Sequence, residues 1–297
     1  MEKFMNGLLG FFLAVAFSSS ILFAQSEEKP VFPEAFKLHL DTAPIFGQQV
    51  FIPAKDRGFF SVKDIKLEAT LYKPKGPGPF PLAILNHGSC YVTPCGRTLK
   101  EEWMGRLLTS YGFAVLVPMR RGRGASDGSM VEPDTCNSGD QPRGLTNAIE
   151  DLDAVIAYAK TLPYIDMSKV VLEGISRGGL LSIVYASKRS DLQVKGIINF
   201  VGGWTSEECD ARFTITQFRE AGTNGKAPSL WIYGENDRLW SNESIRSYAR
   251  AFDKGDGNLI FRLYPVPGDG HSVPMHANLW LAELHQFLER IGFQKSN

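Results

Sequence analysis

Residues 169–189 read KVVLEGISRGGLLSIVYASKR, and they decide the fold. A short apolar run, Val170 to Leu172, leads into Gly174-Ile175-Ser176-Arg177-Gly178-Gly179, and a stretch with helical character follows. That is strand, sharp turn and helix, with a serine at the turn. The glycines are there for a physical reason, since a serine on so tight a turn projects its hydroxyl above a sheet only where neighbouring backbone can approach without side chains between. At the head of the helix, free backbone N–H groups and the positive dipole end would face any developing oxyanion. An ordinary phosphate loop would want a lysine after the glycines, and none is there.

Outward from this turn, short apolar runs alternate with helical periods. The runs are PLAILN (81–86), FAVLVP (113–118), KGIINF (195–200), PSLWIYG (228–234) and NLIFRLY (258–264). Continuous runs of this length suit strands buried on both faces of a parallel sheet. An alternating strand, with Val62, Ile65, Leu67, Ala69 and Leu71 apolar, precedes them and breaks at KPKGPGPFP. Between the runs, residues 145–160 place Leu145, Ile149, Leu152, Ile156 and Ala159 on one helical face, and 177–188, 241–253 and 276–291 read as further helices. Strands alternating with helices imply βαβ crossovers and an α/β domain with one doubly wound sheet, expected over 61–297. Residues 25–60 show no sustained period and read as an irregular N-terminal arm. Two long connections, 119–142 and 202–227, are candidates for a small loop cap.

A serine hydroxyl is a weak nucleophile and needs a base, which in turn needs an orienting carboxylate. On this topology they follow in the order serine, acid, histidine. Asp237 lies in YGENDRLW just past one strand run, and His271 in GDGHSVP past the next. Glu235 and Asp269 are the rival acids; Asp237 is preferred because a residue further into its loop can reach the histidine of the next strand. The second oxyanion donor is expected in the turn Asn86-His87-Gly88-Ser89-Cys90, which assigns the amides of Ser89 and Arg177, with Cys90 or Tyr91 as alternatives to Ser89. His87 is read as a structural residue that hydrogen-bonds the loop. In RRGRGASDG, Arg120, Arg121 and Arg123 are candidates to clamp a substrate carboxylate, but an internal pair with Asp127 is the preferred reading. His39, His276 and His285 are read as surface or core residues.

Together NHGS, RRGRGASDG, GISRGG, YGENDRLW and GDGHS resemble the α/β-hydrolase superfamily, nearest to its dienelactone hydrolase-like and prolyl oligopeptidase-like branches, over roughly residues 60–291. The resemblance implies an eight-stranded, mostly parallel sheet with helices on both faces, hydrolysis through an acyl-enzyme, and no cofactor. The family's nucleophile, acid and base fall on Ser176, Asp237 and His271. Two departures limit what is carried over: dienelactone hydrolases proper use a cysteine nucleophile, and the oligopeptidases carry a β-propeller for which this chain has no room.

The first 24 residues differ from the rest, with Lys3, an apolar run from Leu8 to Phe17, and Ser18 to Ser20 before Ile21 to Ala24. They read as a secretory signal peptide, the mature chain beginning near Gln25 in a secreted or periplasmic setting. An uncleaved anchor is the alternative. In an oxidising compartment Cys90, Cys95, Cys136 and Cys209 can pair in three ways; a local Cys90–Cys95 bridge would leave Cys136 with Cys209. No metal is expected, since C-x-x-C and paired-histidine spacings are missing. Thirty-two basic residues balance 32 acidic ones, which disfavours nucleic acid or an anionic membrane surface as partner. The expected partner is a small-molecule ester.

Overall fold

A computed structural model describes residues 47–58, 61–89, 97–130, 132, 140–254, 256 and 258–295. Eight strands form one sheet in the order β1-β2-β4-β3-β5-β6-β7-β8. They are β1 (Gln48–Arg57), β2 (Val62–Tyr72), β3 (Phe80–Asn86), β4 (Ala114–Pro118), β5 (Ile165–Ile175), β6 (Val194–Phe200), β7 (Ser229–Gly234) and β8 (Leu259–Tyr264). β2 pairs antiparallel with both β1 and β4, while every pairing from β4 through β3 to β8 is parallel. Only β2 therefore runs against the others, and the sheet is mostly parallel. The buried runs are the expected ones: Val170, Val171 and Leu172 have no exposure, and each contributes about 1.5–3 kcal/mol by leaving water.

Six α-helices lie among the described residues, α1 (Glu102–Ser110), α2 (Asp140–Lys160), α3 (Arg177–Lys188), α4 (Glu207–Asn224), α5 (Asn242–Phe252) and α6 (Ala277–Arg290), besides a short 3-10 helix at Gly270–Met275 that carries His271. They cover both faces. Successive residues of a strand point to opposite faces, and on β6 Asn199 lies against Gly179 of α3 while Phe200 stacks edge-on to Trp280 of α6, 4.8 Å between centroids. Trp103 of α1 joins Trp280 at 5.5 Å on the latter face. None of these helices is long and apolar enough to cross a membrane.

Two sequence expectations are corrected. The arm is not irregular throughout: Gln48–Arg57 is the edge strand β1, paired in register with β2. Its signal is weak because Ile52 and Ala54 are its buried positions and Pro53 interrupts it, as an edge strand tolerates. Connection 202–227 is mostly helix, not loop. α4 packs against α3 and α5 and buries Thr214, Phe218 and Ala221, so it belongs to the layer over the sheet. The remainder of the arm up to residue 46, the signal-peptide reading, and Cys90, Tyr91, Cys95 and Cys136 lie outside the described residues.

The register sets up the site. Asn86 pairs with Gly174 and Gly174 with Asn199, Phe200 pairs with Ile232, and Gly234 with Tyr264. The turns after β3, β5, β6, β7 and β8 consequently emerge at one edge, the carboxyl end, where open α/β sheets hold their ligands.

Candidate active site

Ser176 stands between β5 and α3 with φ 56° and ψ −122°, a region that costs a non-glycine residue of order 1–3 kcal/mol. The surroundings hold it there: its N–H donates to Phe200 O at 2.9 Å, and its carbonyl accepts from Gly179 N at 2.9 Å and Gly203 N at 3.2 Å. The head of α3 packs directly on the end of β3, since a Cβ on Gly178 would fall 1.8 Å from Asn86 O. A Cβ on Gly88 would lie 3.3 Å from Ser176 Cβ, so the turn His87-Gly88-Ser89 lies beside the serine. Arg177 opens α3, where first-turn N–H groups have no acceptor one turn earlier. Both expected oxyanion donors, Ser89 and Arg177, thus belong to segments that flank Ser176.

Asp237 and His271 come together from the turns after β7 and β8. Asp237 Oδ2 lies 2.8 Å from His271 Nδ1, its side chain wholly buried and the imidazole 11% exposed. Asp237 Oδ1 accepts from Leu239 N at 2.8 Å, which fixes the carboxylate's rotation. The rival acids are elsewhere. Asp269 accepts from the backbone of Arg238 and His271 and pairs with the Arg238 guanidinium at 3.2 Å, and Glu235 has no hydrogen bond or ion pair with the ring. Trp240 packs on the imidazole at 5.3 Å, and its indole N–H donates to Thr205 O at 2.7 Å. With Nδ1 bound to the carboxylate, Nε2 is the ring nitrogen left for a proton in transfer. The Ser176 and His271 side chains are not hydrogen-bonded to each other; Gly203 donates to the Ser176 backbone carbonyl and lies against Trp240, which packs on the imidazole.

The arginine motif has partners the sequence did not point to. Arg121 pairs with Asp151 at 2.8 Å and with Asp56 of β1 at 3.0 Å, while Arg120 and Arg123 pair with Glu132. Asp127 instead accepts from Lys66 N at 2.9 Å. The internal reading of these arginines therefore holds, but with different acids. His87 is fully buried, which pushes its pKa down, helped by the charge of Arg120, to about 3. As a neutral ring it donates from Nδ1 to Gly88 O at 2.7 Å and accepts the Arg120 N–H on Nε2 at 3.1 Å, the loop-fixing role expected of it. His276 Nε2 lies 3.3 Å from Ser272 Oγ and His285 packs edge-on to Tyr111, while His39 lies outside the described residues. Among the described residues no group of three His, Cys, Asp or Glu side chains is placed to hold a metal ion. Sequence reasoning missed Glu132 and Trp204, which belong to no motif, and Trp240, which closes YGENDRLW but is given no role there.

The sequence model of the dienelactone hydrolase family matches residues 67–277, a span that runs from β2 through the His271 turn. This chain belongs to the dienelactone hydrolase family. Membership of that hydrolase family supports an enzyme of hydrolytic type. The quorum-quenching protein AidA of Acinetobacter baumannii (strain MDR-ZJ06) is 30% identical over 153 residues, which is 50% of this chain and 44% of that relative. The match thus spans less than half the length of the curated relative. Among solved structures, the esterase Pf2001 of Pyrococcus furiosus superposes with a TM-score of 0.59 at 15% identity, covering 88% of this chain and 93% of its own. The acylaminoacyl peptidase of Pyrococcus horikoshii gives 0.61 at 16% identity, covering 90% of this chain and 45% of its own. At such identities the structures share the α/β-hydrolase fold with this family member.

Proposed function

We propose that the chain is an exported serine esterase acting on small-molecule carboxylic esters. The observation that carries this reading is the arrangement at the carboxyl edge of the sheet: a serine held at φ 56° at the head of a helix, and an imidazole whose Nδ1 is bound by a buried carboxylate. In the reaction, His271 Nε2 takes the proton of Ser176 Oγ as that oxygen attacks the ester carbonyl. The Arg177 and Ser89 amides receive the developing oxyanion. The imidazolium returns the proton to the departing alcohol, and water, activated by the same ring, releases the acid from the acyl-enzyme. Asp237 holds the tautomer and stabilises the imidazolium. No step in this scheme calls for a cofactor.

Export by a signal peptide at residues 1–24 is part of the same proposal, to a secreted or periplasmic destination. A disulfide on Cys209 supports it, because such bonds persist in oxidising compartments.

The test is activity profiling over acyl esters, lactones, thioesters and peptide amides, with Ser176→Ala as control. The wild type should cleave p-nitrophenyl acetate and take up one fluorophosphonate label, and the folded variant should do neither. Labelling retained by Ser176→Ala would refute the serine assignment, and turnover confined to peptide amides would make the enzyme a peptidase.

A further inference from the structure

Glu132 has no hydrogen bond or ion pair with Ser176, Asp237 or His271, yet its carboxylate is buried among three guanidinium groups. Arg120 grips it through Nε and through Nη2, the latter at 2.9 Å. Arg123 Nη2 lies 3.4 Å away and Arg177 Nη1 3.9 Å away. Burial by itself would raise this carboxyl, but Arg120, Arg123 and Arg177 outweigh it and hold the pKa down to about 2, so the group is an anion. An ion pair network so placed is weak evidence for stability, because desolvation offsets most of the attraction. Its geometry points to another use.

Each side of the network ends on a wall of the serine's surroundings. Arg120 donates from Nη1 to His87 O at 2.7 Å and from Nη2 to Gly88 O at 3.3 Å, and its backbone N–H reaches His87 Nε2. Those contacts hold the turn that carries Ser89. Arg177 follows the serine directly. Its Nη1 donates to Glu132 O at 3.2 Å and its Nε to Trp204 O at 2.8 Å, with the guanidinium over the Trp204 ring. Glu132 is thus an anion common to both segments that flank Ser176, and a shift of either segment must work against it.

We propose that Glu132 is a positioning residue for the oxyanion pocket, tying the Ser89 turn, through Arg120, to the Arg177 end of α3. The inference rests on the serine esterase reading and adds to it a residue remote from the reacting atoms. A donor displaced by a few tenths of an ångström from the oxyanion's position loses much of its worth in the transition state, while ground-state binding hardly changes.

The test compares wild type, Ser176→Ala, Glu132→Gln and Arg120→Lys, with active sites counted by the end-point of fluorophosphonate labelling. In Glu132→Gln the kcat per labelled site on p-nitrophenyl acetate should fall about 10²–10³-fold, the range for loss of one oxyanion donor, with KM within about threefold. Affinity for an alkyl boronic acid, which mimics the tetrahedral intermediate, should fall in parallel. The acidic limb of the kcat/KM profile, which reports the imidazole, should not move. A residue that served only the fold would lower the melting temperature and leave kcat per site unchanged, and that result overturns the proposal; so does a displaced acidic limb. Should Glu132→Gln fail to fold, Arg120→Lys carries the same test, since it keeps a cation beside Glu132 but lacks the fork that reaches His87 and Gly88. If Ser176→Ala turns over ester as fast as wild type, the esterase reading itself falls and this inference with it. If Ser176→Ala is inert but both other variants match wild type, Glu132 alone is refuted.

Discussion

His271 Nδ1 lies 2.8 Å from Oδ2 of Asp237, whose side chain has no solvent exposure. A carboxylate so placed accepts one hydrogen bond from the ring and thereby decides which nitrogen carries the proton. An asparagine there would offer an amide N–H instead and favour the tautomer protonated on Nε2. Asp237→Asn is expected to keep the fold, read by circular dichroism, and to lose about 10⁴-fold in kcat on p-nitrophenyl acetate. A loss of under tenfold would show that Asp237 does not set the tautomer.

The backbone of Ser176 gives a second prediction. At φ 56° and ψ −122° a glycine is unstrained where serine and alanine are not, and relief of order 1–3 kcal/mol exceeds the added chain entropy of glycine, about 0.5–1 kcal/mol. Ser176→Gly should melt a few degrees above Ser176→Ala, at about 1.5–2 °C per kcal/mol for a chain of this size, and both should be inactive. Scanning calorimetry decides it: equal melting temperatures would mean the turn stores no strain.

Acid should unfold the enzyme through two buried groups. His87 is held by burial, and then by Arg120, at about 3 against 6.5, and Glu132, despite burial, is held by its arginines at about 2 against 4.5. In both cases the unfolded chain binds the proton at higher pH than the folded one. Their contribution is therefore full above about pH 6.5 and falls as pH drops through that value toward 3, with Glu132 adding its loss below 4.5. The slope for one such group is about 1.4 kcal/mol per pH unit. Urea unfolding at about pH 7, 5.5 and 4 measures it, and His87→Gln should flatten the curve between about 6.5 and 4.5.

Glu173 acts in the opposite direction. Burial, then the nearby Glu101, pushes its pKa well above 4.5, and its Oε1 has no partner. The folded protein keeps this proton while the unfolded chain releases it, so the contribution is fully present below pH 4.5 and is lost as pH rises. Glu173→Gln has nothing to ionise. It should be more stable than wild type at about pH 8, and the gap should close toward about pH 4, read from urea midpoints in the two buffers. A gap that widens on acidification would contradict the burial argument.

What could be read from the residues follows from how each element is buried. β3 to β7 sit inside the sheet under the helical layers, so their apolar runs are continuous, and β8, an edge strand only half-buried along its length, still carries the apolar run that marks it; all their limits fall within a few residues of the expected ones. Ser176, Asp237 and His271 occupy turns after such strands, where chain order narrows the choices. β1 is hidden because an edge strand buries little, chiefly Ile52 and Ala54. α4 is hidden because EECDARFTITQFREAGTN is mostly polar and buries Thr214, Phe218 and Ala221 without a clean stripe. The partners of the arginine motif are beyond reach for another reason: Glu132 and Asp151 meet Arg120 and Arg121 by tertiary folding, with no period to announce it.

Trp240 rests on the imidazole, is anchored to Thr205 and abuts Gly203, whose N–H reaches the Ser176 carbonyl. The indole therefore works as a mechanical strut between two loops of different strands. A displacement of residues 203–205 would bear at once on the backbone of Ser176, through the Gly203 N–H, and on the imidazole, through the indole.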